Sequence, residues 1–266
     1  MSEQFKDKVI WITGASSGIG EALALQLAKQ GARLILSARR EEELKRVGAL
    51  TKLPELDLML LPFDLKSTSN ATGLAAQIMN KFGRIDILIN NGGQSQRSEA
   101  IQTTEEIERH LMEVNYFSAV NLAKAVLPYM IRIKGGHIVA VSSIAGKFGF
   151  YLRSSYSAAK HALHGYFESL RLENEKKGIK VLMVCPGKVK TNISLNASLA
   201  KGNTHGKMDE SHENALSAEE AAKQIIEGIV NNKEEIFIGG KELAIIKIKK
   251  FFPNWFSKLI RKQSPF

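Results

Sequence analysis

The chain has 266 residues, enough for one large α/β domain, and its 44% hydrophobic and 24% charged residues are typical of a globular protein. Its single cysteine, Cys185, excludes a disulfide within the chain, and no run of about 18 apolar residues offers a membrane-spanning helix. The first residues form no signal peptide, so a cytoplasmic protein is expected. The net charge is +10, and residues 241–266 contribute +6 of it, from seven basic residues and one acidic residue.

Short apolar runs alternate with helical patterns along the chain. The first run, KVIWIT, is followed by a glycine-rich turn and by EALALQLAKQG, in which leucines and alanines recur at helical spacing. Later strand-like runs are RLILSA, LMLLPFD, IDILINN, HIVAVSS, IKVLMVCPG and EEIFIG, with helical segments such as GLAAQIMNKFG and AEEAAKQIIEGIVNN between them. Because the runs are apolar on both faces, we predict an α/β fold: a single-domain, doubly wound parallel sheet of the Rossmann type, with about seven strands and helices on both faces. We place this domain at 1–240 and a basic, aromatic extension of it at 241–266.

The turn after the first run has the sequence TGASSGIG, with glycines at 14, 18 and 20 directly before a helical pattern. Glycine lets the backbone approach a pyrophosphate, and a helix N-terminus offers free N–H groups and a positive dipole end. A flexible loop would also contain glycines, but the strand before and the helix after this turn favour a dinucleotide site. The predicted cofactor contacts in it are Thr13, Gly14, Ser16, Ser17, Gly18, Ile19 and Gly20.

The second run ends in SARR, residues 37–40. Folds that bind NAD often place an acidic residue here for the ribose 2′-hydroxyl, whereas Arg39 and Arg40 can pair with a 2′-phosphate. The sequence therefore predicts NADP(H) as cofactor; the alternative is that both arginines merely begin an exposed helix. Asp64, followed by Leu65, is predicted to contact the adenine, although Asp64 is almost as typical of a helix N-cap.

The segment YSAAK places Tyr156 and Lys160 one helical turn apart, so both side chains lie on one face of a helix. A phenol with a pKa of about 10 is a poor base at neutral pH, and a nearby lysine cation favours the phenolate. General acid–base catalysts work best with a pKa near the working pH, so the spacing indicates a tyrosine adjusted by Lys160. The alternative is an amphipathic helix with an extended lysine.

Six motifs in this order resemble those of the short-chain dehydrogenase/reductase family, over nearly the whole chain up to about residue 240. Besides TGASSGIG and YSAAK they are NNGG, in which Gly92 replaces the family's alanine, Asn115 in EVNYFS, Ser143 in VSSIAG, and PGKVKT. Ser143 precedes Tyr156 by thirteen residues, the family's usual spacing. The resemblance implies further cofactor contacts from Asn91, Gly92, Gly93, Tyr156, Lys160, Pro186, Gly187, Val189 and Thr191.

The resemblance also implies the chemistry, which is hydride transfer between NADP(H) and a carbonyl compound or secondary alcohol. Tyr156 would exchange a proton with the substrate oxygen, and Ser143 would hydrogen-bond that oxygen. Lys160 would hold the nicotinamide ribose, and Asn115 would position a water that relays protons to Lys160. A homodimer or homotetramer is expected, as in the family.

The substrate is expected to be a small carbonyl or alcohol molecule, lipophilic ones included, and the sequence does not identify it. Its choice is predicted to depend on residues 94–100, 144–153 and 190–216. The last of these segments is polar and weakly periodic, which is typical of a lid or binding loop.

Other residues give weaker signals. His161 and His164 lie one turn apart, but no third ligand has suitable spacing, so no metal is predicted. His205 and His212 lie in the polar segment and are minor candidates for substrate contact. Cys185 is expected to be a buried structural thiol.

The basic tail, residues 241–266, has two interpretations. Its apolar residues are interspersed with lysines and interrupted by Pro253, and its aromatic residues are Phe251, Phe252, Trp255, Phe256 and Phe266. Basic groups and aromatic rings together are typical of a segment that lies in an anionic membrane surface, which predicts peripheral contact with the cytoplasmic face of a membrane. The alternative is that the tail packs on its own domain or on a second subunit.

Two other classes of function compete with the enzyme. A dinucleotide-binding protein without catalysis, acting as a sensor or scaffold, would share the glycine turn but would not need the serine, tyrosine, lysine and asparagine together. The positive charge alone suggests a nucleic-acid binder. Because most of the excess lies in the tail and not on a folded face, no nucleic-acid partner is expected.

Overall fold

The computed structural model describes residues 4–206 and 215–263, so His212 and Phe266 lie outside the described residues. Its strands are β1 (Val9–Thr13), β2 (Arg33–Ser37), β3 (Leu58–Leu60), β4 (Ile87–Asn90), β5 (Gly136–Val141), β6 (Ile179–Pro186) and β7 (Glu235–Ile238). They form one parallel sheet in the order β3-β2-β1-β4-β5-β6-β7.

Helices cover both faces of the sheet. They are α1 (Gly18–Ala28), α2 (Glu41–Thr51), α3 (Ala71–Phe82), α4 (Glu105–Met112), α5 (Ser118–Arg132), α6 (Ser154–Asn174), α7 (Ala218–Val230), α8 (Ala244–Phe251) and α9 (Pro253–Arg261). Buried residues of α1, α2 and α7 form one core with the sheet, and those of α3, α5 and α6 form a second core on the opposite face. The predicted doubly wound fold is confirmed.

Strand β1 shows why these sequences form this sheet. Its side chains alternate between the faces, so Ile10 and Ile12 join the core with Leu23 of α1, while Trp11 joins the core with Phe167 of α6. Ile10, Ile12, Leu23, Trp11 and Phe167 are all fully buried. Burial of one such apolar side chain stabilises the fold by roughly 1.5–3 kcal/mol. A sheet covered on both faces needs apolar residues at every position, which is the pattern seen in the sequence.

The sheet order determines where a ligand can enter. Strand β1 pairs with β2 on one side and with β4 on the other, so the chain changes direction across the sheet at β1. In open parallel sheets such a change leaves a crevice outside the carboxyl ends of the strands. The glycine-rich turn after β1 and the NNGG segment after β4 both lie at this crevice.

The tail forms two short helices, α8 and α9, which the sequence did not predict. Pro253 is the first residue of α9, a position where its missing N–H costs nothing and where it ends the preceding helix. Across residues 4–206 and 215–263, the structure contains no helix that combines the length and the apolar character needed to cross a membrane.

Candidate active site

A cavity of about 1170 Å³ lies at the carboxyl ends of the strands. Its wall combines the segments that follow β1, β2, β3, β4, β5 and β6 with residues of α4, of α6 and of the tail. Nearly all the residues predicted from the sequence therefore lie around one space, although they are distributed from residue 13 to residue 191.

The glycine turn between β1 and α1 has a backbone that only glycine adopts easily. Gly14 and Gly18 have φ values of +65° and +57°, and a Cβ on Gly14 would lie 2.7 Å from the Cα of Gly92. The side chain of Ser17, the N-cap of α1, makes no capping hydrogen bond. The start of α1 therefore presents backbone N–H groups to the cavity, as a phosphate site requires.

Two of the residues predicted in this turn do not line the cavity. Gly14, Ser16, Ser17, Gly18 and Ile19 form its wall, whereas Thr13 and Gly20 lie behind it. The hydroxyl of Thr13 accepts hydrogen bonds from the backbone N–H groups of Asn91 and Gly92, each at 3.1 Å. Thr13 therefore holds the turn against the segment after β4.

The arginines after β2 are exposed and line the cavity beside this turn. Arg40 Nη2 donates a hydrogen bond to Ser16 Oγ at 3.3 Å. Arg40 is also the N-cap of α2. The two arginines therefore do precede an exposed helix, as the alternative predicted, but this position does not exclude a role at the cavity. Asp64 lines the cavity and accepts the backbone N–H of Lys66 at 3.1 Å; since the next helix, α3, starts only at Ala71, the helix-cap alternative for Asp64 is wrong.

The NNGG segment after β4 brings backbone close to two other parts of the site. A Cβ on Gly92 would lie 2.5 Å from Leu65 Cδ1, so Leu65 fills the space that an alanine methyl group would take. A Cβ on Gly93 would lie 2.7 Å from Asn115 Oδ1 and 3.4 Å from Lys160 Nζ. Asn91, Gly92 and Gly93 line the cavity, as does Leu65.

Asn115 lies in a wide helical turn, Glu113–Phe117, between α4 and α5. Its side-chain amide donates to the carbonyl oxygens of Gln94 and Leu111, each at 2.9 Å, and its Oδ1 accepts the N–H of Gln94 at 3.1 Å. Turns of this kind often occur at functional sites. Asn115 is buried behind the cavity wall, where it fixes the backbone of Gln94.

Ser143, Tyr156 and Lys160 are all buried and lie in one part of the wall. Ser143 follows β5, and its side chain lies near enough to the phenol of Tyr156 on α6 to influence the pKa of that phenol. Lys160 Nζ donates to the carbonyl oxygen of Val141 at 2.9 Å and lies 5.7 Å from the ring centre of Tyr156. A proton donor, a partner for the same substrate oxygen and a lysine therefore meet at one point of the cavity.

The titration of Tyr156 differs from the sequence-based expectation. Burial raises the pKa of Tyr156, while Arg153, Ser143 and Arg97 lower it. Burial lowers the pKa of Lys160 to about 8, so this lysine is mostly neutral at the pH where a phenol titrates. In the protein without cofactor, Tyr156 therefore holds its proton at neutral pH.

The segment PGKVKT closes the cavity opposite α6. Pro186, Gly187, Val189 and Thr191 all line the cavity. A Cβ on Gly18 would lie 3.0 Å from Thr191 Cγ2, so this segment rests directly on the glycine turn.

Some cavity residues belong to no motif. Gln94, Arg97 and Arg153 line the cavity and lie in the segments 94–100 and 144–153, which were predicted to determine the substrate. His110 also lines the cavity but was not predicted; its Nε2 lies 2.8 Å from Gln94 Oε1, and only the fold reveals this position. Described residues of the polar segment also line the cavity: Thr191, Asn192, Ile193, Ser194, Asn196 and Thr204; His205 does not.

His164 forms a group that the sequence did not predict. Its ring lies with Cys185 and Glu235, and one possible ligand atom from each lies within 4.8 Å of the others. Lys147 Nζ, however, lies 2.6 Å from Glu235 and 3.2 Å from His164 Nδ1. An ammonium group therefore already occupies the position of a cation, and burial raises the pKa of the Cys185 thiol, which disfavours the thiolate that a metal needs.

The tail helices α8 and α9 pack over the mouth of the cavity. Ile245, Ile248 and Leu259 line it, and the Phe256 ring packs on Phe148 with ring centres 5.1 Å apart. The opposite side of the tail is open, since Trp255 is 53% exposed. The alternative of packing on its own domain is therefore correct for the inner side of the tail only.

Three comparisons place the chain among known proteins. The family model described as short chain dehydrogenase matches residues 8–201. The human "Dehydrogenase/reductase SDR family member 7" is 41% identical over 263 residues, which cover 95% of this chain and 76% of the relative. The bovine "Dehydrogenase/reductase SDR family member 7B" is 35% identical over 271 residues, which cover 99% of this chain and 83% of the relative.

A solved structure shows the same architecture. It is the crystal structure of a short-chain dehydrogenase from Streptomyces avermitilis, which matches with a TM-score of 0.79 and 28% identity over 97% of this chain and 100% of that one. A family model that matches most of the chain, relatives of this similarity and the shared fold lead to one conclusion: the chain belongs to the short-chain dehydrogenase/reductase family of oxidoreductases, which use a nicotinamide dinucleotide.

Proposed function

We propose that this oxidoreductase uses NADP(H) to interconvert a carbonyl compound and a secondary alcohol. The observation that supports this most is the meeting of Ser143, Tyr156 and Lys160 in the wall of a cavity that begins at the glycine turn. A protein that only sensed a dinucleotide would need the turn, but it would gain nothing from a proton donor buried at the other end of the same space.

In the reducing direction, the phenol of Tyr156 donates its proton to the carbonyl oxygen of the substrate. NADPH, when bound, would supply the hydride that the carbonyl carbon accepts and would leave as NADP⁺. Ser143 hydrogen-bonds the same oxygen and fixes its position, so that the proton is delivered where negative charge develops. The phenol carries its proton at neutral pH, since burial keeps the pKa of Tyr156 above its ordinary value, so it has a proton to donate in this direction.

Lys160 and Asn115 support this step. The ammonium of Lys160 would hold the hydroxyl groups of the nicotinamide ribose and replace the proton of Tyr156. Asn115 Oδ1 and Lys160 Nζ both lie close to Gly93, and the proposed water would connect these two side chains.

Preference for NADP(H) over NAD(H) is supported by the end of β2. Arg39 and Arg40 line the cavity there, and Arg40 reaches Ser16 in the glycine turn. Two guanidinium groups suit a ribose 2′-phosphate, and the segment Ala38–Arg40 contains no carboxylate to hold the 2′-hydroxyl of NAD.

A turnover screen tests the proposal. NADPH oxidation is followed with ketones and aldehydes that range from short metabolites to long-chain lipids and steroids, and we expect consumption of NADPH with at least one class. If NADPH binds tightly in a calorimetric titration and no compound is reduced, the dinucleotide sensor is the better interpretation.

We also propose that the tail attaches the protein reversibly to anionic membranes on the cytoplasmic side. Phe251, Phe252 and Trp255 are 65%, 61% and 53% exposed on its outer side. All seven basic residues of the tail are exposed, and each contributes roughly 1 kcal/mol near an anionic surface.

Co-sedimentation with liposomes tests this attachment. The whole protein should bind vesicles that contain phosphatidylserine, less so at high salt, and replacement of Phe251, Phe252 and Trp255 by serine should weaken binding. Replacement of Leu56 and Leu172, which are exposed elsewhere, serves as the matched control. Recovery of the unaltered protein in the supernatant at low salt would contradict the proposal.

The homodimer or homotetramer remains a prediction, which analytical ultracentrifugation can check.

A further inference from the structure

The described wall of the cavity is strongly basic. Its charged residues are Arg39, Arg40, Arg97, Arg153, Lys160, Lys188, Lys241 and Lys262, against Asp64 and Glu242. The arginines after β2 are accounted for by the cofactor and Lys160 by the proton transfer. Arg97 and Arg153 have no role in either, and both lie on the side of the cavity left for the substrate.

Backbone pairing places these two arginines next to each other and next to Tyr156. Ser98 forms a parallel bridge with Arg153, and its N–H donates to the carbonyl oxygen of Leu152 at 3.2 Å. Arg97 immediately precedes Ser98, and Arg153 is the N-cap of the helix that contains Tyr156. The two guanidinium groups therefore come from neighbouring backbones at the start of α6.

The charges of Arg97 and Arg153 both act on the phenol of Tyr156. Although burial is the largest influence on the pKa of Tyr156 and raises it, Arg153 and Arg97 each lower it electrostatically. A substrate whose carbonyl oxygen meets this phenol consequently places its neighbouring atoms within range of two positive charges.

The start of α6 does not itself offer an anion site. Gln96 Oε1 accepts the N–H groups of Ser155 and Tyr156, at 2.9 and 3.1 Å. Recognition of an anion here would fall to the guanidinium groups, whose planar donors match carboxylate and phosphate oxygens. Both arginines already interact within the protein, so a bound anion would exchange with an existing partner and would not fill a vacant position.

The substrate side also has an apolar part. Residues from three separate segments contribute to it: Ile144, Phe150, Ile193, Ile245, Ile248 and Leu259. We propose that the substrate is an amphiphilic ketone, with a carboxylate or phosphate near the carbonyl group recognised by Arg97 and Arg153, and with an alkyl chain directed toward the tail. This inference rests on the proposed function, which it extends by a substrate class.

Binding without turnover tests the charge preference separately from the reaction. Calorimetry on the whole protein saturated with NADP⁺, which has no hydride to transfer, compares 4-oxodecanoate, 4-oxodecyl phosphate and methyl 4-oxodecanoate. These probes share the position of the carbonyl and differ in charge. We expect one of the anions to bind about ten- to a hundred-fold more tightly than the ester, as charged hydrogen bonds allow, and the better of the two identifies the oxyanion.

Variants show whether the two arginines are responsible. Arg97→Gln and Arg153→Gln should each bring the affinity for the anion toward that of the ester and leave the ester unchanged, and Arg153→Lys should retain part of the preference. Arg132→Gln removes the same charge from the exposed end of α5 and should change nothing. The proposal is overturned if the anions and the ester bind equally or not at all, or if the preference survives in both glutamine variants. A failed turnover screen would instead count against the proposed function.

Discussion

Buried titratable side chains lie at both ends of the parallel sheet, but their surroundings differ. At the amino ends, His137 begins the buried part of β5, and burial followed by the charge of Lys180 lowers its pKa to about 4. At the carboxyl ends, burial lowers the pKa of Lys160 to about 8 and raises that of Tyr156. Only the second group faces the described cavity.

The comparison shows that a shifted pKa does not by itself mark an active site. Burial is the main cause at both ends, because water is removed from a group that can be charged. His137 Nε2 is buried without a hydrogen-bond partner, and its shift affects only stability. At the carboxyl ends, the groups whose pKa values burial shifts, Tyr156 and Lys160, line the cavity for substrate. There the shifts affect which of the two groups carries a proton that it can give up.

The largest expected effect is the loss of the phenol hydroxyl at the carboxyl ends. Tyr156→Phe should reduce turnover by about 10² to 10⁴, because one acid–base group is lost, while the affinity for NADPH stays unchanged. Tyr166→Phe removes the same hydroxyl farther along α6 and is the matched control. Steady-state kinetics would contradict the account if Tyr156→Phe retained activity within about threefold of the original protein.

A second effect concerns the cofactor end of the same cavity. The original protein should bind NADPH more tightly than NADH, and Arg39→Asp should reverse the order by about ten- to a hundred-fold, since it replaces attraction by repulsion of the 2′-phosphate. Arg39→Gln should give an intermediate ratio. Fluorescence titrations check this, and equal affinity of the unaltered protein for both cofactors would remove the basis for NADP(H).

The smallest effect lies at the amino ends and concerns stability alone. The unfolded His137 binds a proton below about pH 6.5, whereas the folded one does so only near pH 4, so acidification between these values favours unfolding. His137→Leu should therefore abolish about 2 kcal/mol of the stability that is lost in this range, without a change in turnover. Urea unfolding at both ends of the range measures it. An identical loss in both proteins would show that His137 is not buried in its neutral form.

Local motifs allowed much of this to be predicted from the sequence. The glycine turn and the YSAAK segment could be interpreted from the local sequence. A tight backbone turn, or one turn of a helix, fixes the relative positions of a few neighbouring residues. The parallel sheet could be predicted because its strands are apolar on both faces, as is required of strands that helices cover on both sides. The helix-cap alternative for Asp64 is wrong because the next helix begins seven residues later, at Ala71, close to the start of the helical pattern GLAAQIMNKFG in the sequence.

Contacts between distant segments could not be predicted. Gln96 holds the start of α6 across a separation of 59 residues, and this contact brings Arg97 beside Tyr156. The tail residues Ile248 and Leu259 reach the cavity only because α8 and α9 fold back over it. Such contacts depend on how loops and helices pack, and no spacing in the sequence encodes them. The domain boundary at residue 240 also stays a prediction.

The most direct test of the central claim follows the hydride. A ketone that the screen identifies is reduced with NADPH that contains deuterium at C4 of the nicotinamide, and the product alcohol is examined by mass spectrometry and NMR. The account predicts deuterium on the carbinol carbon of the product and almost no product with Tyr156→Phe. A product without deuterium at that carbon, or an undiminished yield from the variant, would contradict it.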